Sequence, residues 1–390
     1  GNISISGSPN ISVGGSGRAT FLSGSIIGST GLTNFIGSGS GRFRYNSDET
    51  TQNYSSAISS GNYAIYRERP SANVNASNTS IEYGDSTPTI SSSGLQNGDV
   101  LSASIASASY TDHGGGVSYL DVKHSGSHSG DDIDILSYSI SENLSGLGYD
   151  VTADTITVTP RVVTLSAVKI YDGTNDIVGS ELTIGNLLGN ESIGHTNTTV
   201  FNKHVEADES LRFVNAITLT DGTLIDDTGV STKASNYAEP SLSYKNDNNS
   251  PVITNAATLT VTIDAASSTG LGKSYDGTVS AEDSFSPSYT FSGLVDEDSD
   301  YVDSSVELSF KDANYVNRED LDNPTANVAD ADLLKVSGLT INNIVGTADS
   351  YPTDYVLAST TETVSASISE AVLTVAANAS FKFDGQTDPV

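Results

Sequence analysis

Four runs of carboxylates are the first candidates for chemistry in this sequence: Asp296-Glu297-Asp298-Ser299-Asp300, Asp131-Asp132-Ile133-Asp134, Asp226-Asp227 and Asp320-Leu321-Asp322. Calcium takes oxygen ligands from alternating loop positions. Asp296, Asp298, Asp300, Asp131 and Asp132 are therefore the candidate calcium ligands, and an ion there would stiffen a hinge by neutralising carboxylates from two units. Solvated loop charge is the competing reading, because no run follows the twelve-residue helix-flanked loop or a glycine-rich nonapeptide array. Three of the five histidines, His113, His124 and His128, share one Gly/Ser/Asp-rich stretch with Asp131 and Asp132. Imidazole and carboxylate together suit zinc, but the spacing follows no ligand pattern and favours a polar loop.

Catalytic constellations are weaker still. With 48 Asp and Glu in the chain, neighbouring carboxylates fit for general acid and base work arise by chance. No phosphate-cradling lysine motif, zinc-protease motif or distinguishable Ser, His and Asp set occurs. Cysteine is absent, which removes disulfides, thiolate metal sites and a cysteine nucleophile. The sequence reads as a non-enzyme, without catalytic residues and with calcium as its one candidate cofactor.

Lys and Arg total 17, giving a net charge of −31. Nucleic acid and anionic membrane surfaces carry the same sign and are disfavoured as partners. The charge serves solubility, and in a tandem array its self-repulsion favours an extended chain. No stretch approaches the roughly 20 apolar residues of a membrane span, so no membrane insertion is expected. Methionine and tryptophan are absent while tyrosine numbers 18, a composition that points to inheritance from a repeat. Gly1 follows no initiator methionine and no apolar leader, so the sequence is expected to be a processed or cropped piece of a longer protein.

The elements that would carry these residues are strands. Helical periodicity is scarce, whereas short alternating runs rich in Val, Ile, Thr and Tyr recur between Gly, Asn, Asp and Ser. The expected class is all-β. Thr155-Ile156-Thr157-Val158-Thr159, Ala257-Thr258-Leu259-Thr260-Val261-Thr262-Ile263 and Ala371-Val372-Leu373-Thr374-Val375 alternate apolar with polar, and each is expected to close a unit. Residues 1–72 read as the end of a β-solenoid and its cap. Pairs such as Ile3-Ser4-Ile5 and Ile11-Ser12-Val13 would stack inward, with Gly and Ser at tight corners. A disordered Gly/Ser linker is the other reading of the first 36 residues. Arg42-Phe43-Arg44-Tyr45 and Tyr63-Ala64-Ile65-Tyr66-Arg67 supply the bulk that a cap needs.

An internal repeat organises the rest. Lys169-Ile170-Tyr171-Asp172-Gly173-Thr174 returns 104 residues later as Lys273-Ser274-Tyr275-Asp276-Gly277-Thr278, the spacing of one immunoglobulin-like sandwich. Each copy ends in a tyrosine-containing turn, Asn236-Tyr237 and Asp354-Tyr355. A related unit opens at Ile81-Glu82-Tyr83-Gly84-Asp85 and passes through Gly148-Tyr149-Asp150. The expected division is 73–160, 161–266 and 267–376 as three sandwiches, with 377–390 as the first strand of a further repeat. Asp-Gly favours a tight turn with positive φ, so Tyr171, Asp172, Gly173, Tyr275, Asp276 and Gly277 read as a fold motif whose tyrosine buries its ring and bonds a backbone acceptor. Lys169 and Lys273 are expected in exposed ion pairs; an amide cross-link to Asn or Asp is the alternative.

The Lys-x-Tyr-Asp-Gly-Thr openings resemble the YDG-type domains of filamentous-haemagglutinin-like bacterial adhesins. Tyr83-Gly84-Asp85-Ser86-Thr87-Pro88 resembles the opening of the MBG-type domains that accompany them, and residues 1 to about 70 resemble the C-terminal end of the β-helix that precedes such modules. The resemblance implies secretion to the outside of a Gram-negative cell and a role in adhesion or biofilm; no binding residue carries over with it. The expected function is a stalk or filament segment, with other copies or a surface receptor as partners. Two alternatives stand beside it. A sandwich is itself the adhesive module, gripping glycan or protein through Tyr110, Tyr119 or Tyr138; or residues from about Ala377 to Val390 add as a strand to a neighbouring subunit and polymerise the chain.

Overall fold

Period-two alternation becomes strand along most of the chain. The computed structural model describes residues 1–105, 110–112, 118–120, 122, 137–222, 232–295, 305–346, 348–377 and 384–385. Within them the protein is predominantly β, and the longer of the two α-helices, Leu32–Ile36, has five residues. Strand Ala257–Ile263 shows why the pattern works: its Ala, Leu, Val and Ile are buried while the intervening threonines face water. Among the described residues no helix is long and apolar enough to cross a membrane.

Strands Arg18–Ser23, Phe43–Arg44 and Gly61–Tyr66 form a wholly parallel sheet with the last in the middle. Parallel neighbours need crossover connections, and the turns between these strands use glycines of positive φ such as Gly31 and Gly37. Within the first 36 residues, Arg18–Ser23 is a paired strand. Arg44 is buried beside the rings of Tyr54 and Tyr63, and its guanidinium donates to the carbonyls of Gly41, Phe43, Ser56 and Ala57. Burial lowers its pKa.

Three stretches then repeat one arrangement of parallel pairs. In each, an opening strand lies beside the residues that carry or follow a turn tyrosine: Ser71–Ala76 beside Asp150–Ala153, Arg161–Val162 beside Tyr237–Ala238, and Ala257–Ile263 beside Tyr355–Leu357. A second strand, ending next to the motif tyrosine, lies parallel to the last strand: Ser80–Glu82 to Thr155–Thr159, Thr164–Ile170 to Ile253–Asn255, and Gly272–Ser274 to Ser367–Ser369. Antiparallel pairs complete the units, among them Gly194–Val200 with Val214–Thr220, and Ser305–Ser309 with Thr340–Val345.

Two of the three alternating runs behave differently from their sequence reading. Thr155–Thr159 pairs back into its own unit. Ala257–Ile263, expected to close the third unit, instead pairs forward with Tyr289–Ser292 and Tyr355–Leu357, so it opens the fourth. Residues 371–375 form no strand, and Val372, Leu373 and Val375 are 92 %, 86 % and 82 % exposed. Alternation identifies a face to bury and leaves the partner unspecified.

The buried side chains gather into four clusters that ignore the sequence divisions. One runs from Ile81 through Val158 and Val163 to Val252, a second joins Leu32 and Tyr66 to Ala72 and Tyr149, and a third joins Tyr171 to Ala257, Val306 and Tyr355. Successive units therefore share apolar cores at their contacts.

Candidate functional site

The repeated motif is a lysine-clamped loop. The backbone N–H groups of Tyr83, Tyr171 and Tyr275 donate to the carbonyls of Thr159, Asn255 and Ser369 at 2.9, 2.8 and 2.8 Å, which makes the three tyrosines structural equivalents. Gly173 and Gly277 follow with φ of 82° and 81°, the left-handed region that glycine enters without strain. Asp172 and Asp276 each accept from the backbone N–H two residues on, at 3.0 and 2.8 Å. Lys169 Nζ meets Asp172 Oδ1 at 2.9 Å, the Thr174 carbonyl at 3.0 Å and the Asp176 carbonyl at 2.6 Å. Lys273 Nζ meets Asp276 Oδ1, the carbonyls of Thr278 and Ser280, and Thr278 Oγ1 at 2.8 to 2.9 Å.

Both lysines are buried, which corrects their expected place in exposed ion pairs. The converging acceptors replace the water that an ammonium otherwise keeps. Hydrogen bonds from Lys273 and from Thr278 hold the Asp276 carboxyl well below its usual range, at about 2.

The motif tyrosines lead to the contacts between units, where a single construction recurs. Each contact pairs a tyrosine of one unit with the turn tyrosine of the next, edge to face: Tyr45 with Tyr149 at 4.7 Å between ring centroids, Tyr83 with Tyr237 at 5.5 Å, and Tyr171 with Tyr355 at 5.7 Å. All six rings are buried. The receiving hydroxyl accepts a backbone N–H from its own unit, Gln96 to Tyr149 at 2.8 Å, Leu188 to Tyr237 at 2.9 Å and Val295 to Tyr355 at 3.1 Å. At the first two contacts a carboxylate gathers both hydroxyls. Asp99 Oδ2 accepts from Tyr45 at 2.6 Å and Tyr149 at 2.9 Å; Glu191 accepts from Tyr83 at 2.7 Å and from Tyr237. Asp99 and Glu191 each lie three positions after the N–H donor, Gln96 or Leu188. The third residue after Val295 is Asp298, which lies outside the described residues.

The residue before each receiving tyrosine fastens the preceding unit as well. Asn236 Oδ1 accepts the Val122 N–H at 3.0 Å, and Asp354 Oδ1 accepts the Val205 N–H at 2.9 Å. At the first contact that position is Gly148, whose carbon is so close to Tyr45 that a Cβ would lie 2.3 Å from the Tyr45 carbonyl oxygen. The third contact adds His204, which stacks on Tyr351 at 3.9 Å and bonds Asp354 Oδ2 through Nδ1 at 2.7 Å. There Tyr171 shares a hydrogen bond of 2.6 Å with Ser350 Oγ, a side chain of the next unit. Lys203 Nζ spans the same contact, reaching the carbonyls of Gly173 and Ala348 at 2.6 Å each.

Electrostatics mark these contacts as closed. Burial, reinforced by the neighbouring Asp99, pushes the Tyr45 hydroxyl far above its ordinary pKa; burial does the same at Tyr149, and burial with Glu191 at Tyr237. Burial also raises Asp99, against the lowering hydrogen bonds of the two tyrosines. The groups bond to one another and present no open face to a substrate, so the chemistry is that of a lock.

The candidate calcium ligands Asp131, Asp132, Asp296, Asp298 and Asp300 lie outside the described residues, as do Asp226, Asp227, His113, His124 and His128. Asp320 and Asp322 engage Asn323 and Lys335, and among the described residues no group of three or more metal-ligating side chains occurs. Tyr138, a candidate ligand-gripping aromatic, is fully buried in the core. The side chains of Tyr110 and Tyr119 lie outside the described structure. Sequence reading singled out the turn tyrosines but missed Asp99 and Glu191; their shared position three residues after the N–H donor is the signal that finds them. Compared with family models, curated proteins and solved structures, the chain matches none.

Proposed function

We propose that this chain is a load-bearing segment of a secreted bacterial surface fibre or adhesin stalk, in which a β-solenoid end carries a row of immunoglobulin-like units. One observation carries the reading: the edge-to-face tyrosine pair recurs at three successive contacts with buried rings, and at the first two a carboxylate bonds both hydroxyls. A chain whose units only needed tethering would connect them by polar linkers. Here each contact buries aromatic area and directional bonds, which resist bending and shear. The net charge of −31 keeps neighbouring fibres apart. The motif resemblance to filamentous-haemagglutinin-like adhesins supports an extracellular, outer-surface setting in adhesion or biofilm.

Small-angle scattering on the full chain and on Tyr83→Ala and Tyr171→Ala tests it. The parent is expected to give one sharply defined set of inter-unit distances, and each variant a broadened one. A parent as broadly distributed as its variants would sink the stalk reading.

A further inference from the structure

The three motif tyrosines are equivalent in backbone, but the last has a different fate. Tyr83 and Tyr171 are 0 % and 2 % exposed under the unit that follows them, whereas Tyr275 is 47 % exposed. Its ring borders a groove of about 550 Å³ lined also by Ala326, Asn327, Val328, Glu370 and Ala371.

The sequence just beyond repeats the same story in backbone terms. At the second contact Arg161 stands opposite the receiving Tyr237, and at the third Ala257 stands opposite Tyr355. Each lies two residues after the carbonyl, of Thr159 or Asn255, that holds the motif tyrosine. The same count from Ser369 reaches Ala371. Two and four residues further, Val163 and Leu165 are buried at the second contact and Leu259 and Val261 at the third. Their equivalents Leu373 and Val375 are 86 % and 82 % exposed. Residues 371–375 thus have the register and apolar pattern of an opening strand, but form no strand pair among the described residues.

We propose that Tyr275 and residues 371–375 together form the donor half of a fourth lock, and that its partner is a further β unit of the same kind. That unit would carry a receiving tyrosine opposite Ala371, with a hydrogen-bonding side chain for the Tyr275 hydroxyl. Leu373 and Val375 would enter its core. The three receiving tyrosines of this chain, Tyr149, Tyr237 and Tyr355, are already covered from within, so a second copy offers no vacancy at these sites. The proposal rests on the stalk reading for its biological meaning, since an extendable row is what such a donor end serves.

The test extends the protein: residues 1–375 joined to a second copy of residues 262–370 carrying Tyr275→Phe, so that Tyr275 and residues 371–375 each occur once, with the 390-residue chain as reference. Hydrogen exchange and tyrosine nitration, both read by peptide mass, follow residues 371–375 and Tyr275. In the extended protein, exchange across 371–375 is expected to slow by about 100-fold, toward that of Ala257–Ile263. Nitration of Tyr275 is expected to fall about tenfold, toward that of Tyr171. Tyr275→Ala and Leu373→Asp should each loosen the appended unit while leaving exchange in residues 1–369 unchanged. A folded appended unit beside an unprotected 371–375 and a freely nitrated Tyr275 overturns the proposal. So does an appended unit that fails to fold, because the motif tyrosine and the apolar opening run common to the earlier contacts are both present. Both readouts are local, so they stand whichever way the scattering result falls.

Discussion

Tyr171 and Tyr275 occupy the same place in successive units, 104 residues apart, with the same backbone bond and the same lysine-clamped loop before them, yet one ring is sealed between units and the other faces water. The shared Lys-x-Tyr-Asp-Gly-Thr motif therefore has unequal energetic weight in its two copies, and the difference is measurable. Tyr171→Ala should cost about 3–5 kcal/mol, as large buried aromatics do, whereas Tyr275→Ala should cost less than about 1 kcal/mol. Tyr171→Phe, which removes the hydroxyl bonded to Ser350, should lose about 1 kcal/mol. Urea unfolding of the three variants checks the order.

The clamp lysines make a second case. Lys273→Met keeps the buried stem but removes the ammonium that bonds the Thr278 and Ser280 carbonyls, and should cost about 1–3 kcal/mol; Lys169→Met should do likewise. Surface lysines such as Lys311 should be silent within about 0.5 kcal/mol when replaced. Thermal unfolding separates the two groups.

Acid should release the fourth unit's clamp. The Asp276 carboxyl is lowered to about 2 from an ordinary value of 3.8, so its folded form binds fewer protons than the unfolded chain between those values. Its stabilisation is complete above about pH 4 and is lost as pH falls through about 2. Carboxyl NMR titration should place Asp276 near 2, and Lys273→Met should return it toward the usual range.

Alkali acts on the locks with the opposite sense. Tyr45, Tyr149 and Tyr237 are all raised by burial, so their contribution is full below the ordinary tyrosine value of about 10 and is lost as pH climbs beyond it. Phenolate absorbance should show exposed tyrosines titrating normally, then a late step that coincides with loss of β signal. Buried tyrosines that titrate with the exposed ones would contradict the sealed contacts.

Gly148 offers a backbone test of the first lock. Its φ of 101° and the 2.3 Å approach of the Tyr45 oxygen leave no room for a methyl group. Gly148→Ala should cost at least about 3 kcal/mol and loosen Tyr45. Limited proteolysis near residue 45, compared with cleavage rates in the distant fourth unit, distinguishes a local opening from general unfolding.

How much of this was legible beforehand can be judged residue by residue. The period-two pattern identified Ala257–Ile263 as a strand, and the turn chemistry of Asp172-Gly173 and Asp276-Gly277 matched the positive φ found there. The partner of Ala257–Ile263 was not legible, because burial on one face is satisfied by any neighbouring sheet. Lys169 looked like a surface residue since its acceptors are backbone carbonyls, which every residue type supplies. Tyr171 and Tyr355 are separated by 184 positions, and no short-range pattern connects residues so far apart. Asp99 and Glu191 were lost among 48 acidic residues, where abundance hides the two that matter.

The shared cores also decide how damage spreads. A unit that loses its predecessor's tyrosine loses part of its own interior, so each boundary transmits stability to its neighbour and to little else. Such a row melts from an end, like a frayed rope, with each loosened unit lowering the cost of opening the next. Among the described residues the fourth unit has a neighbour on one side alone, and Tyr275 is half-exposed on the other. In this chain heat, protease or tension should therefore find the Tyr275 side of the fourth unit before the contacts between the second and third units.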